Sequence, residues 1–168
     1  MHLPPVNPDL FDPAMHRPRG KADEIWINRY VLQQAKSTGL VIALPNWCAD
    51  SAGLEVKLSG DVRAIGRSHA AGILLGATGP KVDSNSSVLA ATAPYIYANK
   101  DWTSFTITDY ANARSINSIF LSLFPGRPEQ IMRYGLDHHS GDFLFKNLKL
   151  SVSQSHYIDL SSCEVELF

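Results

Sequence analysis

The stretch Leu54-Glu55-Val56-Lys57-Leu58-Ser59-Gly60-Asp61-Val62-Arg63-Ala64 decides the fold. Leu54, Val56 and Leu58 alternate with Glu55 and Lys57, the two-residue period of a strand with one buried face and one wet face. The strand is expected to run on through Gly60 towards Ala64. Downstream, Ala71-Gly76 is a small apolar run of the kind found in inner strands, and Lys81-Ser87 reads as a turn. Phe105, Ile107 and Tyr110 follow Trp102 in another strand-like stretch, and Ile119, Leu121 and Leu123 alternate with Phe120, Ser122 and Phe124. Phe143 and Phe145 open a last major strand that resumes at Leu148, Leu150 and Val152, one step out of phase. That slip predicts a β-bulge near Lys146-Asn147.

Upstream, Ile25-Leu32 is rich in β-branched and aromatic residues, and Leu40-Leu44 is a short apolar run after a turn at Lys36-Gly39. The two are expected to pair as a hairpin; a helix over Asp23-Lys36 is the competing reading. Strands at these intervals, without a strong amphipathic helix or βαβ alternation, predict an all-β, antiparallel β-sandwich. Pro4, Pro5, Pro8, Pro13 and Pro18 supply half of the ten prolines, so residues 1–22 are read as an extended leader and 23–168 as the sandwich domain.

Composition narrows the function classes. Of the 168 residues, 45% are hydrophobic and 18% charged, a globular balance rather than a disordered one. Fifteen Lys+Arg against sixteen Asp+Glu leave a net charge of -1 with no block of like sign, so neither nucleic acid nor a membrane surface is an expected partner. The longest apolar stretches, Gly39-Leu44 and Ala70-Ala77, fall far short of the ~20 residues that span a bilayer. The start of the chain shows no basic region followed by an apolar segment, the mark of a secretory signal. The chain is therefore read as intracellular, or as a domain cut from a larger parent, which could itself be extracellular or periplasmic. Cys48 and Cys163 are too few for a disulfide framework. A bridge between them would be worth ~4–5 kcal/mol in the chain-entropy model, and two separate thiols is the simpler expectation.

Several weak motifs follow one another: Leu44-Pro45-Asn46-Trp47-Cys48, the Gly53-Ala64 strand with its Ser59-Gly60-Asp61-Val62-Arg63-Ala64 ending, the small-residue run Ala71-Gly76, and the step Asp101-Trp102-Thr103. Their order resembles a jelly-roll carbohydrate-binding module of the galactose-binding-like superfamily. The closing stretch Gly141-Asp142-Phe143-Leu144-Phe145-Lys146-Asn147-Leu148-Lys149-Leu150 resembles the family's last strand, with Lys146 where the family usually has Asp. The resemblance covers roughly Ile25 to Ser153. It implies a jelly-roll sandwich, a core-packing role for Trp102 at the start of a strand, and a carbohydrate ligand.

A sugar site needs flat aromatic surface for pyranose C–H faces, flanked by side chains that hydrogen-bond to vicinal hydroxyls. The polar segment Gly126-Gly141, read as a loop, offers Arg127, Arg133, Tyr134, Asp137, His138 and His139. Tyr95 and Tyr97, two residues apart on a strand, would share one face, which is either a groove wall or simply core. Trp47 sits in an expected loop, where an exposed ring would serve as a platform; Trp26 is undecided. Adjacent His138 and His139 diverge on a strand and have no third partner at metal spacing. Asp83-Ser84-Asn85-Ser86 falls short of a calcium loop, so no cofactor is expected and a structural calcium ion has no support. Nucleophile-elbow, phosphate-loop and dinucleotide fingerprints are missing. Asp50, Glu55, Asp61 and Asp109 could pair across strands as glycosidase carboxylates, a pattern any chain with sixteen acids permits. The expectation is a non-catalytic module that binds a glycan or polysaccharide. Its rival is a structural or adaptor sandwich within a larger assembly.

Overall fold

A computed structural model of the chain describes residues 2–5, 23–29, 39–43, 54–78, 88–111, 118–135 and 139–154. Among the described residues, ten strands form two antiparallel sheets. The first sheet holds β1 (His2–Pro5), β2 (Ile25–Asn28), β4 (Leu54–Ala64), β8 (Thr103–Ala111) and β10 (Asp142–Gln154). The second holds β3 (Gly39–Ala43), β5 (His69–Thr78), β6 (Val88–Thr92), β7 (Tyr95–Ala98) and β9 (Ser118–Phe124). In the first, β10 pairs with β4 on one edge and with β1 and β2 on the other, and β4 pairs with β8. In the second, β5 pairs with β9 on one edge and with β6 and β7 on the other, and β9 pairs with β3. Most connections between consecutive strands cross from one sheet to the other, which is the jelly-roll arrangement expected from the motif order.

The core is the set of alternate residues that each strand turns inward. Val56, Leu58, Val62 and Ala64 of β4 meet Phe143, Phe145, Leu148, Leu150 and Val152 of β10, all at most 2% exposed. From the second sheet come Ala71, Ile73, Leu75 and Ala77 of β5 and Ile119, Leu121 and Leu123 of β9, each fully buried. Burying a side chain of this size contributes about 1.5–3 kcal/mol, so the interface between the sheets dominates stability.

The predicted bulge is present. Asp61 pairs with Lys146 and Ser59 with Lys149, so Gly60 alone faces both Asn147 and Leu148. Asn147 takes the left-handed conformation at φ 54°, which Asn tolerates better than most residues. Its Nδ2 donates to Asp61 Oδ2 at 2.8 Å, and Ser104 Oγ donates to Asp61 Oδ1 at 2.7 Å. Leu148 is pushed back into the core: a Cβ on Gly60 would lie 2.6 Å from Leu148 Cδ2 and 3.1 Å from Phe105 Cζ. Phe105 in turn meets Phe145 edge-on, with centroids 6.1 Å apart.

One expectation is corrected. The runs expected to form a hairpin lie in different sheets, since Ile25–Asn28 pairs with β10 and Gly39–Ala43 with β9. Periodicity marks a strand but does not choose its partner, and the sandwich closes by crossing between sheets. The competing helix is displaced over Ile25–Asn28, where Ile25 and Ile27 enter the core. The start of the leader forms an edge strand, with His2 opposite Ser151 and Pro5 opposite Lys149; an edge is where a sheet accepts proline. Residues 6–22, Cys48, Cys163 and the expected turn at Lys81-Ser87 lie outside the described residues.

Two carboxylates respond to pH in opposite directions. Hydrogen bonds from Asn147 and Ser104, with Lys146 and Lys149 nearby, hold Asp61 below the usual carboxylate range. Its contribution is present above the unfolded value and is lost as pH falls through the lowered folded value. Asp109 lies on the same side of β8 as Phe105 and Ile107, opposite Val56, and burial pushes its carboxyl up. Its contribution is present at acid pH and lost as pH rises through the raised value. In urea denaturation at neutral pH, Asp61→Asn should be less stable than wild type, by roughly a few tenths of a kcal/mol because the group is part-exposed. Asp109→Asn should be more stable. Both differences should vanish well below pH ~4, where each carboxyl is protonated in both states.

Candidate functional site

The polar segment after β9 contains a short helix, α1 (Pro128–Tyr134), where a loop was expected. Local signals account for it: Pro128 stands in the first turn with Glu129, Arg133 is in the last turn, and Gly135 at φ 86° ends it. The Gly135 N–H donates to the Ile131 carbonyl at 2.9 Å. Pro128 and Ile131 are buried, which fixes the helix to the domain.

Glycines seat this segment on the outer face of the second sheet. Gly72 of β5 faces outward between buried Ala71 and Ile73, and a Cβ there would collide with the Gly126 carbonyl and lie 2.5 Å from Pro128 Cδ. A Cβ on Gly126 would collide in turn with the His139 carbonyl. The Gly141 N–H donates to the Pro125 carbonyl at 2.6 Å, closing the layer. Three backbone segments thus stack without side chains between them.

This seating brings some of the singled-out side chains near one another. Gly72 is the register partner of Tyr95, and the Arg127 guanidinium lies 4.0 Å from the Tyr95 ring centroid. Tyr97, opposite Ala70, stands on the same outer face. Tyr95 is 48% exposed and Tyr97 67%, which removes the alternative that this face of β7 is core. Instead Ile96 and Ala98 turn inward. Arg133, Tyr134 and His139 form a second group: the Arg133 guanidinium is 5.3 Å from the Tyr134 ring and the His139 ring 5.7 Å from it. Trp47, Asp137 and His138 lie outside the described residues.

Trp102 departs from its expected core role. It is half-buried on the outer side of the first sheet, with Lys146 Nζ 4.0 Å and the Arg63 guanidinium 5.4 Å from its ring. Arg63 faces outward because its neighbours Val62 and Ala64 fill the core, so Trp102 and its two cations stand on the first sheet, away from the tyrosine pair on the second. Trp26 is also half-buried, and its indole N–H donates to the Asp142 carboxylate, pinning β2 to β10. Asp61 and Asp109 lie on opposite faces of the first sheet, so they cannot flank one glycosidic bond. Among the described residues no three His, Cys, Asp or Glu side chains gather to hold a metal ion.

No protein-family model matches the chain, and no curated protein matches it in sequence. Among solved structures it is similar to the family 11 carbohydrate-binding module from Clostridium thermocellum in complex with a β-1,3-1,4-mixed-linked tetrasaccharide. That likeness has 16% identity and a TM-score of 0.36, and covers 67% of this chain and 66% of that one, just under two thirds of its length. It is also similar to the CBM22-1 xylan-binding domain from Paenibacillus barcinonensis, at 11% identity and a TM-score of 0.41 over 84% of this chain and 79% of that one. A CBM4 structure shows 10% identity and a TM-score of 0.40 over 81% of this chain and 74% of that one. The residue roles described above rest on this chain's own geometry.

Gly72→Ala tests the seating of the segment. The added methyl meets backbone and a buried proline ring, so urea denaturation should show a loss of about 1–3 kcal/mol. A loss under about 0.5 kcal/mol would mean that the segment lifts freely from the sheet.

Proposed function

We propose that the chain is a non-catalytic carbohydrate-binding module that takes a glycan on the outer face of its second sheet. The observation that carries this reading is the exposed pair Tyr95 and Tyr97 beside the Arg127 guanidinium. Two rings on one face of a strand offer successive apolar surfaces for pyranose C–H faces. Arg127, stacked 4.0 Å from the Tyr95 ring, is held where its planar fork can donate to vicinal hydroxyls. The platform is open and polar, so each sugar unit gains little after desolvation, and binding to a polymer relies on several weak contacts.

A protein interface is the second reading, favoured by one specific observation. Met132 and Tyr134 on α1 are each 64% exposed, an apolar step beside the polar segment. A partner protein would cover that step, whereas a glycan on the tyrosine pair would not need it.

Affinity electrophoresis through a panel of soluble neutral polysaccharides separates the readings. At least one polymer should retard the wild type, and Tyr97→Ala should weaken retention about tenfold, the scale of one lost aromatic stack. Tyr95→Ala should act similarly, and Trp102→Ala should leave retention intact. If no polymer retards the wild type and light scattering shows a stable oligomer that Met132→Ala dissociates, the glycan reading fails and the assembly reading stands.

A further inference from the structure

At the end of the sandwich where β2 stops and β10 begins, a cavity of about 330 Å³ opens. That volume lies at the low end of the range for small-molecule sites. Its lining brings together three distant stretches: Asn28 and Arg29 after β2, Arg67 and His69 around the β4–β5 turn, and Ser140 and Asp142 at the start of β10. The walls are tied by backbone, since the Ile65 N–H donates to the Asp142 carbonyl at 2.8 Å and the Ala64 N–H to the Asn99 carbonyl at 2.7 Å. Gly66 at φ 81° makes the turn that presents Arg67 to solvent.

The charge of the lining is specific. Arg67 presents its guanidinium at an exposed turn position of the lining, and the Asp142 carboxylate accepts the Trp26 indole N–H. His69 continues the inward-facing series Ala71, Ile73, Leu75 and Ala77 to the point where the core ends, with its ring edge-on to Phe143 at 6.2 Å. Its Nδ1 lies 3.0 Å from the Ala70 carbonyl. A carbonyl only accepts, so Nδ1 donates, and in the neutral ring Nε2 is left to accept a ligand hydroxyl proton. Gly141 lets the chain pass against this ring, because a Cβ there would lie 2.9 Å from His69 Cβ.

We propose that this cavity binds the carboxylate-bearing ring of an acidic saccharide, a hexuronate unit. An arginine fork matches a carboxylate in bidentate geometry. Asn28, Ser140, His69 and Asp142 supply the mixed donors and acceptors that ring hydroxyls require. A sugar offers several hydroxyl protons to the Asp142 carboxylate, whereas a phosphate dianion offers one. Ile65 gives the lining an apolar side chain for the C–H face. The site is separate from the tyrosine pair and does not depend on it.

Isothermal titration of the whole chain with sodium glucuronate, sodium galacturonate, methyl glucoside and inorganic phosphate tests the proposal. Backbone amide NMR shifts in the same titrations report the location. At least one uronate should bind and shift the amides of Gly66, Arg67, Ser140 and Gly141, with methyl glucoside at least about tenfold weaker. Arg67→Ala, at an exposed turn position, should weaken uronate binding about tenfold. Arg67→Lys, which keeps the charge and loses the fork, should fall between, and Tyr97→Ala should leave uronate binding unchanged. Absence of binding by both uronates, or unchanged affinity in Arg67→Ala, overturns the site. Phosphate binding as tightly as the uronates overturns its saccharide selectivity. Loss of polysaccharide retention in Tyr97→Ala with uronate binding intact would show two independent sites, and a failed tyrosine face would leave this one standing.

Discussion

Gly60 facing the pair Asn147 and Leu148 is the contact on which the rest of the sandwich depends. A strand shows alternate residues to the core, so β10 would turn Leu148, Leu150 and Val152 to solvent if it continued the phase of Phe143 and Phe145. One extra residue resets that phase. It needs a position opposite with no side chain, because Leu148 Cδ2 occupies the space a Cβ on Gly60 would fill. It also needs a residue that accepts a positive φ, which Asn147 does while donating to Asp61. Both ends of the longest strand then line the same core, and β4 and β8 follow its register.

A second set of close approaches positions the surface chemistry. Gly72, Gly126 and Gly141 allow backbone to pass against backbone or against the His69 ring, where any side chain would hold the layers apart. Gly126 and Pro128 therefore lie against the second sheet, and Arg127 between them reaches Tyr95. The same chain continues to Ser140 and Asp142, which form a wall of the rim cavity. One segment thus serves two surfaces, because its path is set by where glycines permit contact.

Much of the fold was legible locally. The bulge could be read from the phase slip between Phe145 and Leu148, and the strands of the core from their two-residue period. The helix at Pro128–Tyr134 was legible in principle, from proline at its start and Gly135 after its end, but seven residues give too little apolar periodicity to stand out from a polar loop. The hairpin expected near the start fails because a strand pattern carries no label for its partner. The core role of Trp102 is implied by the family resemblance of the Asp101-Trp102-Thr103 step, and the outward-facing Arg63 and Lys146 place the ring outside instead.

The candidate sites divide along the same line. Tyr95 and Tyr97 could be placed on one face from spacing alone, but which face is wet depends on which sheet covers the other side. The meeting of Arg127 with Tyr95, and of Arg29, Arg67 and His69 around one cavity, joins residues far apart in the chain. The sequence by itself determined strand positions, their inward residues and the bulge, because these follow from backbone geometry over a few neighbouring residues. Only the tertiary structure decided strand partners, the wet face of the tyrosines and the rim cavity, because each depends on distant segments meeting through packing, and no local pattern encodes that meeting.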